Sequence, residues 1–497
     1  MNSSTLLSSA RNILPSGPPS ITVKWDYRCL FIILALIPFL LILWKFSYKE
    51  SLALFSFSFF VILTVEAPKA SLALSLAILS LDLNPSTCEY DPNSVFAFIV
   101  RANNLMPIHL FFEAGILTGW FIRRSLNSKT KYGASTLHWI IFAMLFWMAL
   151  GQFAAVLNGL NPLNAIYGLR HILNYLMFYF IFDTLENEQD VKNIFYLVIA
   201  GTTITFFAGY FRVAAGQYIQ WGPRRFYLWH EQVQTLHIMG LFALLAGMEK
   251  RIKFPFIAGL AVYLACLLQT FLSTSRAVLV GTFVTLLIIL FLKIKNRIIF
   301  FASIGLFTVI AFLSLNYLTE KMTGAVNEVA VQSMERLQSM NVQEADLSVL
   351  LRILTFQSAL ETAVKHPLFG IGFNRGFYLD LFGFKYYVRV LDNTYIKFAL
   401  SAGFPLLILY LIFLFVIYRA GIRLLKHYPG GIIRAIILSC IGVLIMSNVV
   451  DLFQANFALL RIMYLIIFAI SIIMKLDYLV KERNRSQGII LNENQSI

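Results

Sequence analysis

Apolar stretches of roughly 17–25 residues recur along this chain, each long enough to cross the hydrocarbon of a bilayer as a helix. Unpaired backbone amides cannot face lipid, so a stretch of that length is satisfied only by helix or by a closed barrel. A barrel needs short alternating segments, and these runs are continuous. Composition agrees: 59% of the residues are hydrophobic and 13% are charged, against about 25% charged in a soluble domain. The expected fold class is an all-α polytopic membrane protein, with about 13 or 14 transmembrane helices and a large extracytoplasmic loop bearing an amphipathic helix.

A net charge of +15 would invite a nucleic-acid reading in a soluble protein. Here the cations sit in short loops between apolar runs. They cluster at Arg123, Arg124, Lys129 and Lys131, at Lys250, Arg251 and Lys253, and at Lys293, Lys295 and Arg297. Two more clusters follow at Arg419, Arg423, Lys426 and Arg434, and at Lys475, Lys481, Arg483 and Arg485. Counting spans from Leu30–Phe46 onward puts all of them on one side, the pattern that marks the cytoplasmic face. No nucleic-acid partner is expected. Ser51–Val65 and Ala70–Leu83 are short, and can be read as two crossings or as one crossing plus a re-entrant piece. The expected layout is a polar cytoplasmic tail at 1–28, an N-terminal bundle at 29–316, a large extracytoplasmic loop at 317–391, C-terminal helices at 392–475 and a cytoplasmic tail at 476–497. The polar, Ser/Pro-rich opening predicts no cleavable signal peptide. Cys29, Cys88, Cys266 and Cys440 lie far apart, with neither a metal spacing nor a disulfide framework.

The same parity places the loops 212–234, 272–276 and 319–392 together on the opposite face. Three features there can carry chemistry. Gly222-Pro223-Arg224-Arg225-Phe226 precedes His230 and Glu231. Arginines on this face run against the positive-inside bias, so they call for an anionic partner: lipid headgroups, or a phosphate that suits the guanidinium fork. Arg276 follows Ser275 at the lip of a span, where a charge either faces a cavity or snorkels to the interface. In the long segment, Val349, Ile353, Phe356, Leu360 and Val364 form an apolar helical stripe, and Ser348, Arg352, Thr355, Ala359 and Thr362 form a small polar face. Pro367 ends that helix. It reads as an interfacial helix, with Arg352 either solvated or facing a vestibule. Asp392 and Asn393 stand where the chain re-enters the membrane, as helix cap or as reacting groups.

These residues resemble a known family. A loop arginine (Arg225), Ser275-Arg276 at the start of a span, and R-x3-F-x10-P-L-F-G-I-G from Arg352 to Gly372 come in order. Asp392-Asn393 then precedes a span holding Ser401-Ala402-Gly403-Phe404-Pro405. The pattern is similar to the O-antigen ligase and O-antigen polymerase family of bacterial surface-polysaccharide enzymes. That resemblance implies a multi-pass protein of the bacterial inner membrane whose active site faces the periplasm. The implied donor is a saccharide on undecaprenyl pyrophosphate. It passes to a hydroxyl of a growing glycan, or of lipid A-core or another acceptor, without metal or cofactor, with membrane lipids as the other partner. Arg225, Arg276 and Arg352 would hold the pyrophosphate, with Arg224, Ser275 and Asn393 near the substrate; His230 and His366, neither at the family position, are the alternatives to Asp392 as base. The family dipeptide is usually His-Asn; here Asp392 replaces the histidine and Leu406 stands where ligases often have glycine, which favours polymerase over ligase.

In such a displacement, charge grows on the leaving pyrophosphate, and fixed guanidinium groups stabilise it. The incoming hydroxyl needs a proton acceptor, and Asp392 would act chiefly by orienting that hydroxyl. A flippase for lipid-linked sugars needs similar headgroup chemistry, but should show an internal repeat and cations through the membrane interior; the sequence has no such repeat. A proton-coupled transporter would need several buried carboxylates, and Glu113 is the one mid-span candidate.

Overall fold

The computed structural model describes residues 48–80, 101–103, 106–126, 135–214, 219–221, 224–226, 230–249, 256–272, 276–293, 347–381, 383–388, 391–453 and 460–486. The expected spans 30–46 and 298–315, Ser275 and both termini lie outside these residues. The first half of the described chain is α1 (Tyr48–Glu66), α2 (Pro68–Ser80), a short pair β1 (Arg101–Asn103) and β2 (Met106–Pro107), α3 (Ile108–Leu126), α4 (Thr136–Leu157), α5 (Pro162–Thr184) and α6 (Glu188–Ala214). The hairpin β3 (Ile219–Trp221) and β4 (Arg224–Phe226) leads into α7 (His230–Met248), α8 (Phe256–Leu272) and α9 (Arg276–Lys293). Then come α10 (Leu347–Lys365), the hairpin β5 (Phe377–Leu381) and β6 (Phe384–Val388), α11 (Thr394–His427), α12 (Ile432–Val450) and α13 (Leu460–Ser486).

Five of these helices, among the described residues, are long and apolar enough to cross a membrane, and five shorter apolar helices accompany them. The protein is an all-α polytopic membrane protein. Its large exposed side chains fit that class. Trp139, Phe142, Phe146 and Phe153 run down one side of α4, fully outward, and a soluble protein would not leave so broad an apolar face in water. At the centre, α12 and α13 bury almost every side chain from Ile433 to Ser447 and from Met463 to Leu476. Lipid is as apolar as leucine, so close packing rather than water exclusion holds such helices together. Gly115 and Gly119 show the device: a Cβ at either would strike the backbone of α1 at Phe57 or Val61.

Contacts between distant loops fix which helix ends share a face. Arg123 donates to the Val65 carbonyl (3.0 Å), Arg124 pairs with Asp183 (3.5 Å), and Lys69 pairs with Glu186 (2.9 Å) and Asp190 (3.0 Å). Glu188 accepts from Tyr428 (2.8 Å) and Arg483 (2.6 Å). Burial, and then this bond to Glu188, pushes the Tyr428 hydroxyl above the ordinary tyrosine range. Glu249 joins Lys293 and accepts from the Gly431 amide at 3.0 Å. The described basic clusters therefore meet at one end of the bundle, as the charge pattern predicts. The α1–α2 turn is at that end too, so α1 and α2 run in opposite directions as a helical pair.

One boundary moved. The apolar run predicts a span over 171–182, yet α5 begins at Pro162. Asn164, Arg170 and His171 interrupt the hydropathy without interrupting the helix, and a proline in the first turn loses no hydrogen bond.

Candidate active site

The opposite end of the bundle is built around a break in α11. Ala402 (φ −136°, ψ 16°) and Gly403 (φ 81°, ψ 173°) leave helical geometry just before Pro405. Proline supplies no amide for the preceding turn, so carbonyls there need other donors. The Pro367–Gly372 turn supplies them. Ile371 and Gly372 donate their amides to the Leu400 and Ser401 carbonyls (2.8 and 2.9 Å), and Phe404 donates back to the Pro367 carbonyl (2.8 Å). Trp147 of α4 donates to the Ala402 carbonyl at 2.9 Å and stacks on Phe369. Gly403 has no substitute here. Its positive φ excludes most side chains, and a Cβ would run into the Leu368 carbonyl. The turn is clamped from its other side by buried Gln152, which accepts from the Phe373 amide (2.7 Å) and donates to the Phe373 and Ala165 carbonyls (3.1 and 2.9 Å).

This clamp fixes α10 over the re-entry point. Ala359 and Ala363 face inward against Ala399, Leu400 and Leu391, while Ile353, Leu360 and Val364 of the predicted stripe face outward. The two alanines, with Phe356 from the stripe, therefore pack on the protein, while Ile353, Leu360 and Val364 remain exposed. That orientation brings Arg352 to the start of α11, where its Nε lies 3.8 Å from Asp392 Oδ2, both side chains nearly half exposed. The next two residues bind inward. Asn393 caps α11, accepting from the Ile396 amide at 2.9 Å, and donates to the Leu452 carbonyl at 2.9 Å. Thr394 donates its hydroxyl to Asp451 Oδ1 at 2.6 Å. Three consecutive polar residues thus tie together α10, α11 and the end of α12.

No contact with this pair is seen for the other sequence candidates among the described residues. His366 is exposed beyond the far end of α10; fourteen residues of helix put it about 20 Å from Arg352. Arg276 opens α9, which runs antiparallel to α12, with Gly281 against Met446 and Val450. Its backbone lies about 7.5 Å beyond that crossing, at the end of the bundle that holds Asp451 and Asp392. Arg224 and Arg225 lie on β4 opposite Trp221 and Gln220, and His230 starts α7. Ser275 lies outside the described residues.

Two features escape a reading of the sequence. Asp451 is fully buried beside a polar cluster in which Asn448 donates to the Tyr418 hydroxyl at 2.6 Å and the Tyr395 hydroxyl donates to the Asn448 carbonyl at 3.3 Å. An acid at the last residue of an apolar run is the available signal. The second is the β5–β6 hairpin, whose turn has Gly383 at φ 86°. Alternating β-formers flanking a glycine announce it. On it Tyr378, Tyr386 and Tyr387 are exposed, whereas Phe377 is packed in the core.

Comparison with known proteins adds the family. Residues 260–411 match the family model described as O-antigen ligase, a stretch that includes Arg276, Arg352, the Pro367–Gly372 turn and Asp392. No curated protein matches the chain. Over that stretch, about a third of the chain, this bundle of apolar helices is similar to the O-antigen ligase family.

Proposed function

We propose that the protein is a polysaccharide polymerase of the bacterial inner membrane. It takes a saccharide from undecaprenyl pyrophosphate at the periplasmic face and joins it to a hydroxyl of another repeat unit, without a metal. One observation carries this reading: Arg352 and Asp392, forty residues apart, meet at the mouth of α11, inside the stretch that matches the family. The pair is half exposed and on a fixed scaffold, so it is open to a substrate.

In the proposed reaction the acceptor oxygen attacks the anomeric carbon while the bond from that carbon to the pyrophosphate oxygen breaks. Undecaprenyl pyrophosphate leaves with the electron pair. Arg352, with Arg276 and the arginines of β4, would stabilise that developing charge. Asp392 would orient the hydroxyl, whose proton passes to it or to water. Asn393 and Thr394 would act as positioning residues, because their hydrogen bonds set where Asp392 projects. The exposed Tyr378 and Tyr387 rings, 5.3 Å apart, offer faces on which sugar rings can stack. The extracytoplasmic loop would extend over 317–391.

The name of the matching family favours a second acceptor, a lipid A-core or similar glycan. Purified protein in liposomes, given an undecaprenyl-pyrophosphate oligosaccharide alone, distinguishes these: a polymerase lengthens it, a ligase needs the second acceptor, and a flippase only moves it across. No transfer with either acceptor would overturn the enzyme reading. In a deletion strain, single units without long chains identify a polymerase, and accumulated unattached polymer identifies a ligase.

A further inference from the structure

A cavity of about 450 Å³ opens at the other end of α11, between that helix, the start of α4 and the last turns of α13. It shares no residue with the Asp392 region, and the helix from Thr394 to Val416 separates the two. Four cations line it: Arg419 and Arg423 from α11, Lys481 and Arg485 from α13. Two acids answer them. Asp477 is almost fully buried and already holds both Arg423 (3.2 Å) and Lys481 (3.1 Å), so its charge is spent inside the wall. Glu482 is exposed at the rim. Arg419 and Arg485 make no ion pair among the described residues and are exposed to whatever enters.

The shape adds direction. Val416 and Met474 form an apolar floor on the side toward the membrane interior, while the cations lie toward the helix ends. Thr136, at the positive N-terminus of α4, completes the polar wall. A site that is apolar inward and cationic outward, set where spans leave the bilayer, matches a molecule with the same polarity. We propose that this cavity binds the phosphate-bearing headgroup of an anionic membrane lipid in the leaflet at the basic end of the protein, with the first carbons of its chains against Val416 and Met474. Basic pockets between transmembrane helices suit such headgroups, and the volume is that of a small-ligand site. A free phosphate shares the headgroup's charge but not the apolar half.

The test uses the full purified chain in neutral detergent and reads lipid retention by native mass spectrometry, with melting temperature as a second readout. The probes are phosphatidylglycerol, phosphatidylcholine with identical acyl chains, and inorganic phosphate. Phosphatidylglycerol should bind saturably and raise the melting temperature. Phosphatidylcholine and inorganic phosphate should each bind at least about tenfold more weakly. Combined Arg419→Ala and Arg485→Ala, both at exposed positions, should weaken phosphatidylglycerol about tenfold or more. Lys426→Ala removes an exposed cation that does not line the cavity and should leave retention unchanged. Equal retention of the two lipids, full binding by inorganic phosphate, no loss in the double variant, or the same loss in Lys426→Ala would each overturn the proposal. None of these readouts depends on glycosyl transfer, so the result stands apart from the function proposed above.

Discussion

At the basic end of the bundle acids and cations have found one another: Lys69 with Glu186 and Asp190, Arg124 with Asp183, Glu188 with Arg483, Glu249 with Lys293. At the end holding Asp392, the ion pair among the described residues is the long contact at 3.8 Å between half-exposed partners. Most of the tight hydrogen bonds there are spent on backbone instead, in the Gln152 clamp, the Asn393 cap and the turn seated in the α11 break. One end uses charge to hold helices together. The other uses neutral hydrogen bonds and one buried acid, Asp451, to hold a scaffold, and leaves Arg352 and Asp392 for something that arrives.

If that contrast is right, the largest single effect should come from the scaffold. Gly403→Val imposes a β-branched residue at φ 81° and drives its side chain into the Leu368 carbonyl. Strain of about 1–3 kcal/mol plus the collision should unseat the Pro367–Gly372 turn. The expected outcome is loss of polymer in a complementation assay, together with a lower melting temperature in detergent. Normal polymer from this variant would show that the break does not position α10.

Next in size are the exposed charges. Asp392→Ala should lose most product formation, and Arg352→Ala should lower turnover by about tenfold or more, with membrane insertion and melting temperature close to wild type. Arg352→Lys should restore little, because an ammonium lacks the planar fork. A stability loss comparable to the activity loss would instead make the pair structural, like those at the basic end. Glu249→Ala is the mirror experiment. It strands Lys293 and the Gly431 amide, both inside the packed basic end, and should cost about 1–3 kcal/mol while each folded molecule keeps its turnover.

What the sequence made legible follows the same divide. The class, the shared end of the basic clusters among the described residues and the helical α10 are periodic or counted signals, carried by runs of residues, and they survive in the structure. Arg352 and Asp392 stood out as charges beside a Pro/Gly turn and a re-entry. What brings them together was not legible. Gln152 reads as one polar residue inside an apolar helix, and its partner Phe373 is 221 positions away. The orientation of α10 was equally hidden, because two small alanines and a single stripe residue, Phe356, make the inward face. Asp451 was masked by lying at a helix end, where an acid is expected to meet water; only the fold reveals that Thr394 covers it.

The smallest effect sharpens the comparison most finely, since it asks whether the paired end depends on each pair. Lys69 joins Glu186 and Asp190, but the lysine and Glu186 are about half or more exposed. Exposed pairs contribute roughly 0–1 kcal/mol, so Lys69→Ala should shift the melting temperature slightly, and added salt should shrink even that difference. Glu249, buried against Lys293 and the Gly431 amide, should show a larger loss that salt barely changes. Equal losses at the two positions would mean that the basic end is held by its net field, and the division between paired charges and available ones would then rest on the Asp392 end alone.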